Sequence, residues 1–237
     1  MEALVILILV SVVIFIVYRL VRPYTPEERE SINMASRADL ANAAKRTGMG
    51  GSPGKPSPRP VYGAEIFANA GGPRTFDDYV GQTRAKMQLK IATLSAAKRG
   101  ERVGHILIAT GLHGVGKSAI ARVIANSLNV GIVEVQGELT GEEAMGIFSG
   151  MKDHDILFID EAHKLADKGK ARIEWLLPVL QDGVMTTAQG PKKIPNVTII
   201  LATTDKDLLP ETILSRLPLK PVLEPYTPQE GAQIAAY

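Results

Sequence analysis

The sequence predicts an α/β fold with a central five-stranded parallel sheet flanked by helices, preceded by an N-terminal transmembrane helix and a linker. Two observations carry this prediction. From about Arg74 onward, short segments rich in β-branched residues alternate with helical segments, which is the pattern of a parallel sheet covered on both faces. Before that point, an apolar run is followed by a stretch rich in Gly, Pro and Ser.

The composition permits one domain of ordinary size with appendages. The chain has 237 residues, 45% of them hydrophobic, so a core can be buried without covalent staples. There is no cysteine, which excludes a disulfide framework and a thiolate metal site. From Pro73 to the end, basic and acidic residues number 19 each, so net charge gives no general indication of nucleic-acid binding.

The apolar run is Ala3–Tyr18, interrupted by a single serine. A bilayer-spanning helix needs about 17 to 25 residues, and Leu20 and Val21 extend the run to that length if Arg19 snorkels toward the headgroups. A signal peptide would have a basic start and a small-residue cleavage site, and a buried strand of this length would be unusual. We therefore expect a single-pass anchor over residues 1–22, with membrane contact through residues 3–21. Because Arg19 and Arg22 follow the run, the positive-inside rule predicts that the rest of the chain is cytoplasmic.

Residues 23–72 are predicted to form a helix and a linker. The sequence Thr25-Pro26-Glu27-Glu28 is a capping box with proline at the first helical position, and the helix is expected to continue to about Arg46. The following stretch, Thr47–Pro60, has no apolar periodicity and is rich in Gly, Pro and Ser, as flexible linkers are.

The elements of the sheet domain follow in alternating order. The predicted strands are His105–Thr110, Gly131–Val135, Asp155–Asp160, Val197–Thr203 and Lys220–Glu224. The predicted helices are Gln82–Arg99, Ser118–Asn129, Gly141–Gly150 and Ala171–Gln181. A further capping box at Thr227–Glu230 predicts the start of one more helix.

The segment Gly111–Ser118, GLHGVGKS, matches the P-loop pattern and lies between a predicted strand and a predicted helix. Its glycines let backbone amides face phosphate oxygens, and the helix N-terminus favours negative charge there. Lys117 is expected at the β- and γ-phosphates, and the Ser118 hydroxyl at magnesium. The predicted cofactors are thus ATP and Mg²⁺. The predicted nucleotide contacts of this segment are Gly111, Leu112, His113, Gly114, Val115, Gly116, Lys117, Ser118 and Ala119.

A second motif, Ile156–Glu161, places two carboxylates at the end of a buried strand. The carboxyl ends of parallel strands are where open α/β sheets bind ligands. Asp160 is therefore predicted to hold magnesium, and Glu161 to act as the general base that polarises the attacking water.

The motifs GLHGVGKS, ILFIDEAHKL, IILATT and ILSRL together resemble the AAA+ superfamily of P-loop NTPases. Within it the chain is most similar to the RuvB family of Holliday-junction branch-migration motors, through PRTFDDYVGQ (Pro73–Gln82), AAKRGE (Ala96–Glu101), ATT (Ala202–Thr204) and LEPYTPQE (Leu223–Glu230). The likeness covers about Arg74–Tyr237. It implies an ATPase with helicase or translocase activity, a hexameric ring of identical subunits, and double-stranded or branched DNA as a partner.

The resemblance also implies roles for residues outside the two motifs. Thr204 matches the sensor 1 residue that reads the γ-phosphate, although it could simply cap the loop after its strand. Arg216 matches the arginine finger that reaches a neighbouring subunit's ATP, although it could be a solvated helix residue. Tyr79, Val80 and Gln82 are implied to lie beside the adenine.

The expected domains are the anchor at 1–22, the helix and linker at 23–72, the AAA+ ATPase domain at 73–226 and the start of a truncated lid domain at 227–237. The favoured function is an ATP-dependent motor that remodels DNA. The alternative is a membrane-tethered AAA+ ATPase that remodels a protein partner, although the loop Gln136–Gly141 has no aromatic residue for threading a polypeptide. A nucleotide switch without catalysis is a third class, against which an intact Glu161 argues.

Overall fold

The computed structural model describes residues 58–63, 65–66, 71–167, 173–187 and 190–236. The predicted transmembrane helix and the predicted helix that follows it lie outside these ranges. Within them, no helix is both long and apolar enough to cross a bilayer. The predicted sheet domain falls in the unit from Pro56 to Tyr237.

The central sheet has four parallel strands in the order β1-β6-β3-β2, which confirms the predicted parallel α/β fold. A separate antiparallel hairpin, β4-β5, is inserted before β6. The strands are β1 (Ile106–Ala109), β2 (Ile132–Gln136), β3 (Ile156–Asp160), β4 (Val184–Thr187), β5 (Gly190–Lys193) and β6 (Thr198–Thr203).

The predicted fifth strand, Lys220–Glu224, is only partly formed. Two isolated parallel bridges join this part of the chain to β1, one from Leu219 to Ile106 and one from Val222 to Ala109. Pro221 lies between the two bridges and has no backbone N–H to donate, so a continuous ladder cannot form there. The prediction of five regular strands is corrected to four strands and a bridged edge.

The helices lie between the strands, as the alternation predicts. They are α1 (Thr83–Arg99), α2 (Lys117–Leu128), α3 (Gly141–Phe148), α4 (Lys164–Asp167), α5 (Leu176–Asp182), α6 (Glu211–Leu214) and α7 (Pro228–Ala235), with a 3₁₀ helix at Lys206–Leu208. Capping residues set where several of these helices begin or end. Thr140 and Thr227 each form a complete capping box at the start of α3 and α7. Gly100 and Asn129 end α1 and α2 in the left-handed conformation.

Each face of the sheet is covered, because alternate residues of a strand point to opposite sides. In β3, Ile156 and Phe158 belong to the cluster of buried side chains that includes α1 and α2. Leu157 and Ile159 belong to the cluster that includes α3 and α5. The sheet is therefore the central layer of the domain, and its strands lead into a row of loops at its carboxyl edge.

Candidate nucleotide site

The strand order brings three loops side by side. β6 lies between β1 and β3, so the residues after β6 lie between the P-loop that follows β1 and the acidic residues that follow β3. Backbone hydrogen bonds continue this arrangement beyond the strands: Thr110 N donates to Thr203 O at 3.1 Å, and Ala162 N donates to Ala202 O at 2.8 Å. The order of the strands in the sheet thus places the P-loop, the acidic residues after β3 and the residues after β6 next to one another.

The P-loop turns from β1 into α2 with Gly114 at φ 75° and Gly116 at φ 90°. These are left-handed conformations that glycine adopts at no steric cost. Gly116 has a second constraint, since a Cβ atom added there would lie 2.3 Å from the Tyr79 hydroxyl. Val115 is buried and anchors the loop in the core, whereas Gly111, Leu112, His113 and Gly114 are exposed. Ser118 and Ala119, in the first turn of α2, are half-buried.

Asp160 is the last residue of β3, and Glu161 follows it with φ 49°, a left-handed conformation that is uncommon for a side chain other than glycine. Asp160 Oδ1 accepts a hydrogen bond from Glu161 N at 2.9 Å. The turn directs the Glu161 carboxylate toward the P-loop, where its Oε1 lies 3.8 Å from Lys117 Nζ. Both side chains are largely buried, with 7% of Lys117 and 15% of Glu161 exposed.

Three further side chains surround the Glu161 carboxylate. The Thr204 hydroxyl donates to its Oε2 at 3.1 Å. His163 Nδ1 lies 3.4 Å from Oε2 and His113 Nδ1 lies 3.8 Å from Oε1. The structure therefore brings together Lys117, Glu161 and Thr204, three residues that the sequence analysis assigned to catalysis.

His163 also contacts the loop after β6. Its Nδ1 lies 3.0 Å from Thr203 Oγ1, and that hydroxyl donates to Asp205 O at 3.0 Å while accepting from Asp205 N. His163 thus ties the loop after β3 to the loop after β6.

The two residues predicted to hold magnesium offer oxygen atoms only, from the Ser118 hydroxyl and the Asp160 carboxylate. Oxygen ligands fit Mg²⁺, which keeps several waters and takes further ligands from substrate phosphates. Among the described residues there is no group of three or more His, Asp and Glu side chains that could hold a metal without such help. The oxygen donors of Ser118 and Asp160 are thus of the kind that suits magnesium, and their role as ligands stays a prediction.

The three residues that were predicted to lie beside the adenine have different surroundings. Tyr79 is buried and its hydroxyl donates to Gly116 O at 3.1 Å, so it supports the P-loop from beneath. Val80 is half-buried beside it. The Gln82 amide is engaged elsewhere: it donates to Glu224 O at 2.6 Å and accepts from Glu224 N at 2.9 Å. A residue that sequence reasoning missed, Tyr226, donates to the Tyr79 hydroxyl at 3.3 Å.

Arg216 is not part of this cluster. Its guanidinium donates to Gln181 Oε1 at 2.9 and 3.2 Å and to Thr212 O at 2.6 Å.

A cavity of about 410 Å³ adjoins the P-loop and the loop after β6. Its lining includes Thr110, Leu112, Thr204, Asp205, Val222 and Pro225.

Comparison with known proteins assigns the domain. The family model described as "Holliday junction DNA helicase RuvB P-loop domain" matches residues 72–223. The chain is 33% identical over 189 residues to the Holliday junction branch migration complex subunit RuvB of Anaeromyxobacter sp. strain K and to that of Anaeromyxobacter dehalogenans, and the match covers 76% of this chain and 54% of each relative. The chain thus spans about half the length of the curated relatives it matches.

Solved structures of RuvB are also similar to this chain. The Thermotoga maritima RuvB Holliday junction branch migration motor is similar with a TM-score of 0.60 and 30% identity, over 68% of this chain and 51% of that one. A point variant of the same motor gives a TM-score of 0.62, also at 30% identity.

These comparisons correct the predicted localisation. The relatives are subunits of a DNA branch-migration complex. The prediction of a single-pass membrane protein with membrane contact through residues 3–21 is therefore wrong by this comparison, and the membrane-tethered alternative has no support. The apolar run that prompted it, Ala3–Tyr18, lies outside the described residues.

The matched part of the chain contains the P-loop, the acidic strand end and the loop after β6, which lie side by side at the carboxyl edge of the sheet. The chain belongs to the family of the Holliday junction DNA helicase RuvB P-loop domain.

Proposed function

We propose that the protein binds Mg-ATP on the P-loop and hydrolyses it with Glu161 as general base. The observation that carries this proposal is the convergence of Lys117, Glu161 and Thr204 at the carboxyl edge of the sheet. A carboxylate held by a hydroxyl donor, close to the lysine expected at the γ-phosphate, is placed to orient a water for attack on that phosphate. Bound magnesium would neutralise phosphate charge beside Ser118 and Asp160.

Each residue then has a defined task. Lys117 and the P-loop amides bind the phosphates, and burial of the lysine strengthens its interaction with them. Glu161 accepts the proton of the attacking water. Thr204 holds the Glu161 carboxylate, and its position between the P-loop and β3 suits a side chain that contacts the γ-phosphate or the water.

We further propose that active sites form between subunits of a ring, most simply a hexamer. Within one chain, Arg216 is bound to Gln181 and Thr212 rather than to the Glu161 cluster. An arginine that acts on phosphate from a neighbouring subunit supplies charge that the chain's own site lacks.

Double-stranded or branched DNA is the proposed substrate. Its support is the similarity to relatives that are Holliday junction branch-migration subunits. Because basic and acidic residues of the domain are equal in number, its net charge does not favour DNA binding. We therefore expect DNA to bind through local basic groups. Lys192 and Lys193, both exposed in β5, are two such groups. Two further candidates, Lys168 and Lys170, lie outside the described residues.

The test is steady-state ATP hydrolysis by the full chain with a synthetic four-way junction, with a linear duplex of the same length, and without DNA. A DNA-remodelling motor is expected to be stimulated by DNA, and the stimulation should fade as salt rises. Glu161→Gln serves as the control for contaminating ATPases. Unchanged rates with both DNAs at every salt concentration would exclude DNA as the substrate.

The lysines are tested by DNA affinity as a function of salt. Replacing Lys192 and Lys193 by alanine should reduce the slope of log K against log salt by about 0.9 for each phosphate that the variant no longer neutralises. Lys98→Ala, at the end of α1, is the matched control. Equal slopes for the double variant and the control would remove the hairpin from the DNA-binding surface.

A further inference from the structure

Two tyrosine hydroxyls connect the P-loop to the segment that leads into α7. Tyr79, just before α1, donates to Gly116 O at 3.1 Å and lies 3.5 Å from Val115 O. Tyr226, just before α7, donates to the Tyr79 hydroxyl at 3.3 Å. The two residues are 147 positions apart in the chain, so the link depends on the fold alone.

The position of the Gly116 carbonyl matters because of the peptide that contains it. A trans peptide is planar, and its C=O and N–H point in opposite directions. The peptide that follows Gly116 carries the N–H of Lys117. A hydrogen bond that holds Gly116 O on the Tyr79 side therefore directs the Lys117 N–H to the opposite side, where a P-loop presents its amides to phosphate.

The hydroxyl of Tyr79 is well suited to this task. It is buried with 2% of the residue exposed, and burial, followed by the hydrogen bond with Tyr226, raises its pKa far above the usual value. It is thus a permanent neutral donor. Gly116 O also accepts from Ile120 N at 3.0 Å, the first hydrogen bond of α2, so this carbonyl is held from two directions.

The segment with Tyr226 is itself held against the lead to α1. Glu224 and Gln82 exchange two hydrogen bonds. Glu230, in the first turn of α7, lies so close to Gly81 that an added Cβ there would be 2.6 Å from Glu230 Oε1. A displacement of α7 therefore has to disturb this packing and the hydroxyl of Tyr226.

We propose that Tyr79 is a positioning residue for nucleotide binding, whose hydroxyl fixes the peptide between Gly116 and Lys117 and links its orientation to Tyr226 before α7. The inference rests on the proposed binding of ATP at the P-loop. Since the Lys117 amide contacts phosphate before and during the reaction, its misorientation weakens binding in both states. The expected effect lies in KM and in the dissociation constant of ATP, with kcat unchanged.

The test uses Tyr79→Phe, which keeps the ring and removes the hydroxyl. Loss of one hydrogen bond worth about 0.5–1.5 kcal/mol corresponds to a rise of about 2- to 12-fold in KM and in the dissociation constant. We expect kcat to stay within about twofold. Tyr62→Phe is the matched control. It also loses a tyrosine hydroxyl bond, to Asp155 Oδ2 at 2.8 Å, but at the amino end of β3, far from the P-loop edge.

Tyr226→Phe tests the link to α7. Alone it should weaken ATP binding in the same direction, and in the Tyr79→Phe background it should have no further effect, because both changes break one chain of hydrogen bonds. Effects that add would separate Tyr226 from the P-loop.

An ATP dissociation constant of Tyr79→Phe equal to that of the wild type, measured by calorimetry, would overturn the proposal. Reduced thermal stability of Tyr79→Phe with unchanged ATP affinity would assign the hydroxyl a structural role only. Wild-type protein that binds ATP without hydrolysing it would contradict the proposed function, while the dissociation constants would still decide the role of Tyr79.

Discussion

The Thr204 hydroxyl donates a hydrogen bond to the Glu161 carboxylate, with Oγ1 and Oε2 3.1 Å apart. The neighbouring Thr203 is fully buried and bonds instead to His163 and Asp205. Two adjacent threonines thus have different partners, and their valine variants should separate catalysis from stability.

Thr204→Val should lower kcat by about 10- to 100-fold, the weight of a hydrogen bond to a charged group, with little change in the free energy of unfolding. Thr203→Val should lower the free energy of unfolding by about 1–3 kcal/mol, because buried polar partners lose their hydrogen bonds. Steady-state kinetics and urea unfolding measure the two quantities. A Thr204→Val variant with normal kcat would reduce Thr204 to a loop cap.

Glu161→Gln should bind ATP with nearly unchanged affinity and hydrolyse it about 10²- to 10⁴-fold more slowly. The amide retains an acceptor for the Thr204 hydroxyl but cannot take a proton from water. Calorimetric binding and single-turnover hydrolysis measure the two effects. Normal hydrolysis by this variant would show that Glu161 is not the base.

Gly137→Ala should slow ATP hydrolysis, although it changes no side chain that is proposed to take part in the reaction. Gly137 N donates to Asp160 O at 2.7 Å, and an added Cβ would lie 2.1 Å from Glu161 O. The backbone of Glu161 has to move, and displacement of a catalytic group by about 1 Å costs on the order of 10²-fold in rate. Gly146→Ala, in α3 with open space around it, is the control and should stabilise the fold by about 0.4–1 kcal/mol. If both variants hydrolyse ATP equally well, Gly137 does not constrain the base.

Mixing Arg216→Ala subunits with Lys117→Ala subunits should restore hydrolysis that neither variant has alone. Lys117→Ala lacks the charge that binds the phosphates, and Arg216→Ala lacks the finger proposed to act in trans, which is worth about 10³-fold or more. The rate is measured across mixing ratios and should be highest near equal amounts. Failure to complement, with a monomer by light scattering at saturating ATP, would exclude a shared site.

Stability should fall below about pH 6.5 because of His105. Burial, followed by the positive charge of Arg102, lowers the pKa of His105 from 6.5 to about 3, so the folded protein keeps it neutral while the unfolded chain takes up a proton. Between those pH values the unfolded state binds more protons, and the free energy of unfolding drops by up to about 1.4 kcal/mol per pH unit.

Urea unfolding at pH 7.5, 6.5 and 5.5 measures this slope. In His105→Asn, the amide oxygen can still accept from Ile199 N, which His105 Nδ1 binds at 3.0 Å, but the titrating group is gone. The variant should therefore show a shallower slope over this interval. Identical slopes in the two proteins would show that other groups cause the acid sensitivity.

The sequence predicts the fold of this domain well where local signals are strong. β3 and β6 are apolar runs with sharp ends, so their bounds lie within one residue of the prediction. The P-loop is recognised because its glycines, lysine and serine occur at fixed spacing. The prediction fails at Lys220–Glu224, where β-branched and apolar residues suggest a strand but Pro221 interrupts the ladder.

Contacts between distant parts of the chain could not be predicted. Nothing in the pattern around Tyr79 or Tyr226 indicates that their hydroxyls meet. The Gln82 amide was expected beside the adenine from family likeness, whereas its hydrogen bonds go to the backbone of Glu224. Such pairings depend on how loops pack on the finished sheet. The catalytic and nucleotide-binding roles assigned to the site residues stay predictions until the variants above are measured.

The left-handed backbone of Glu161 has a consequence for how this protein can change. A side chain with a Cβ at φ 49° costs about 1–3 kcal/mol relative to a relaxed conformation. Glycine at position 161 would relieve that cost and remove the carboxylate. Glycine there would also give up the contacts of the carboxylate with Thr204 and Lys117, so relief of backbone strain and loss of the proposed base would come together.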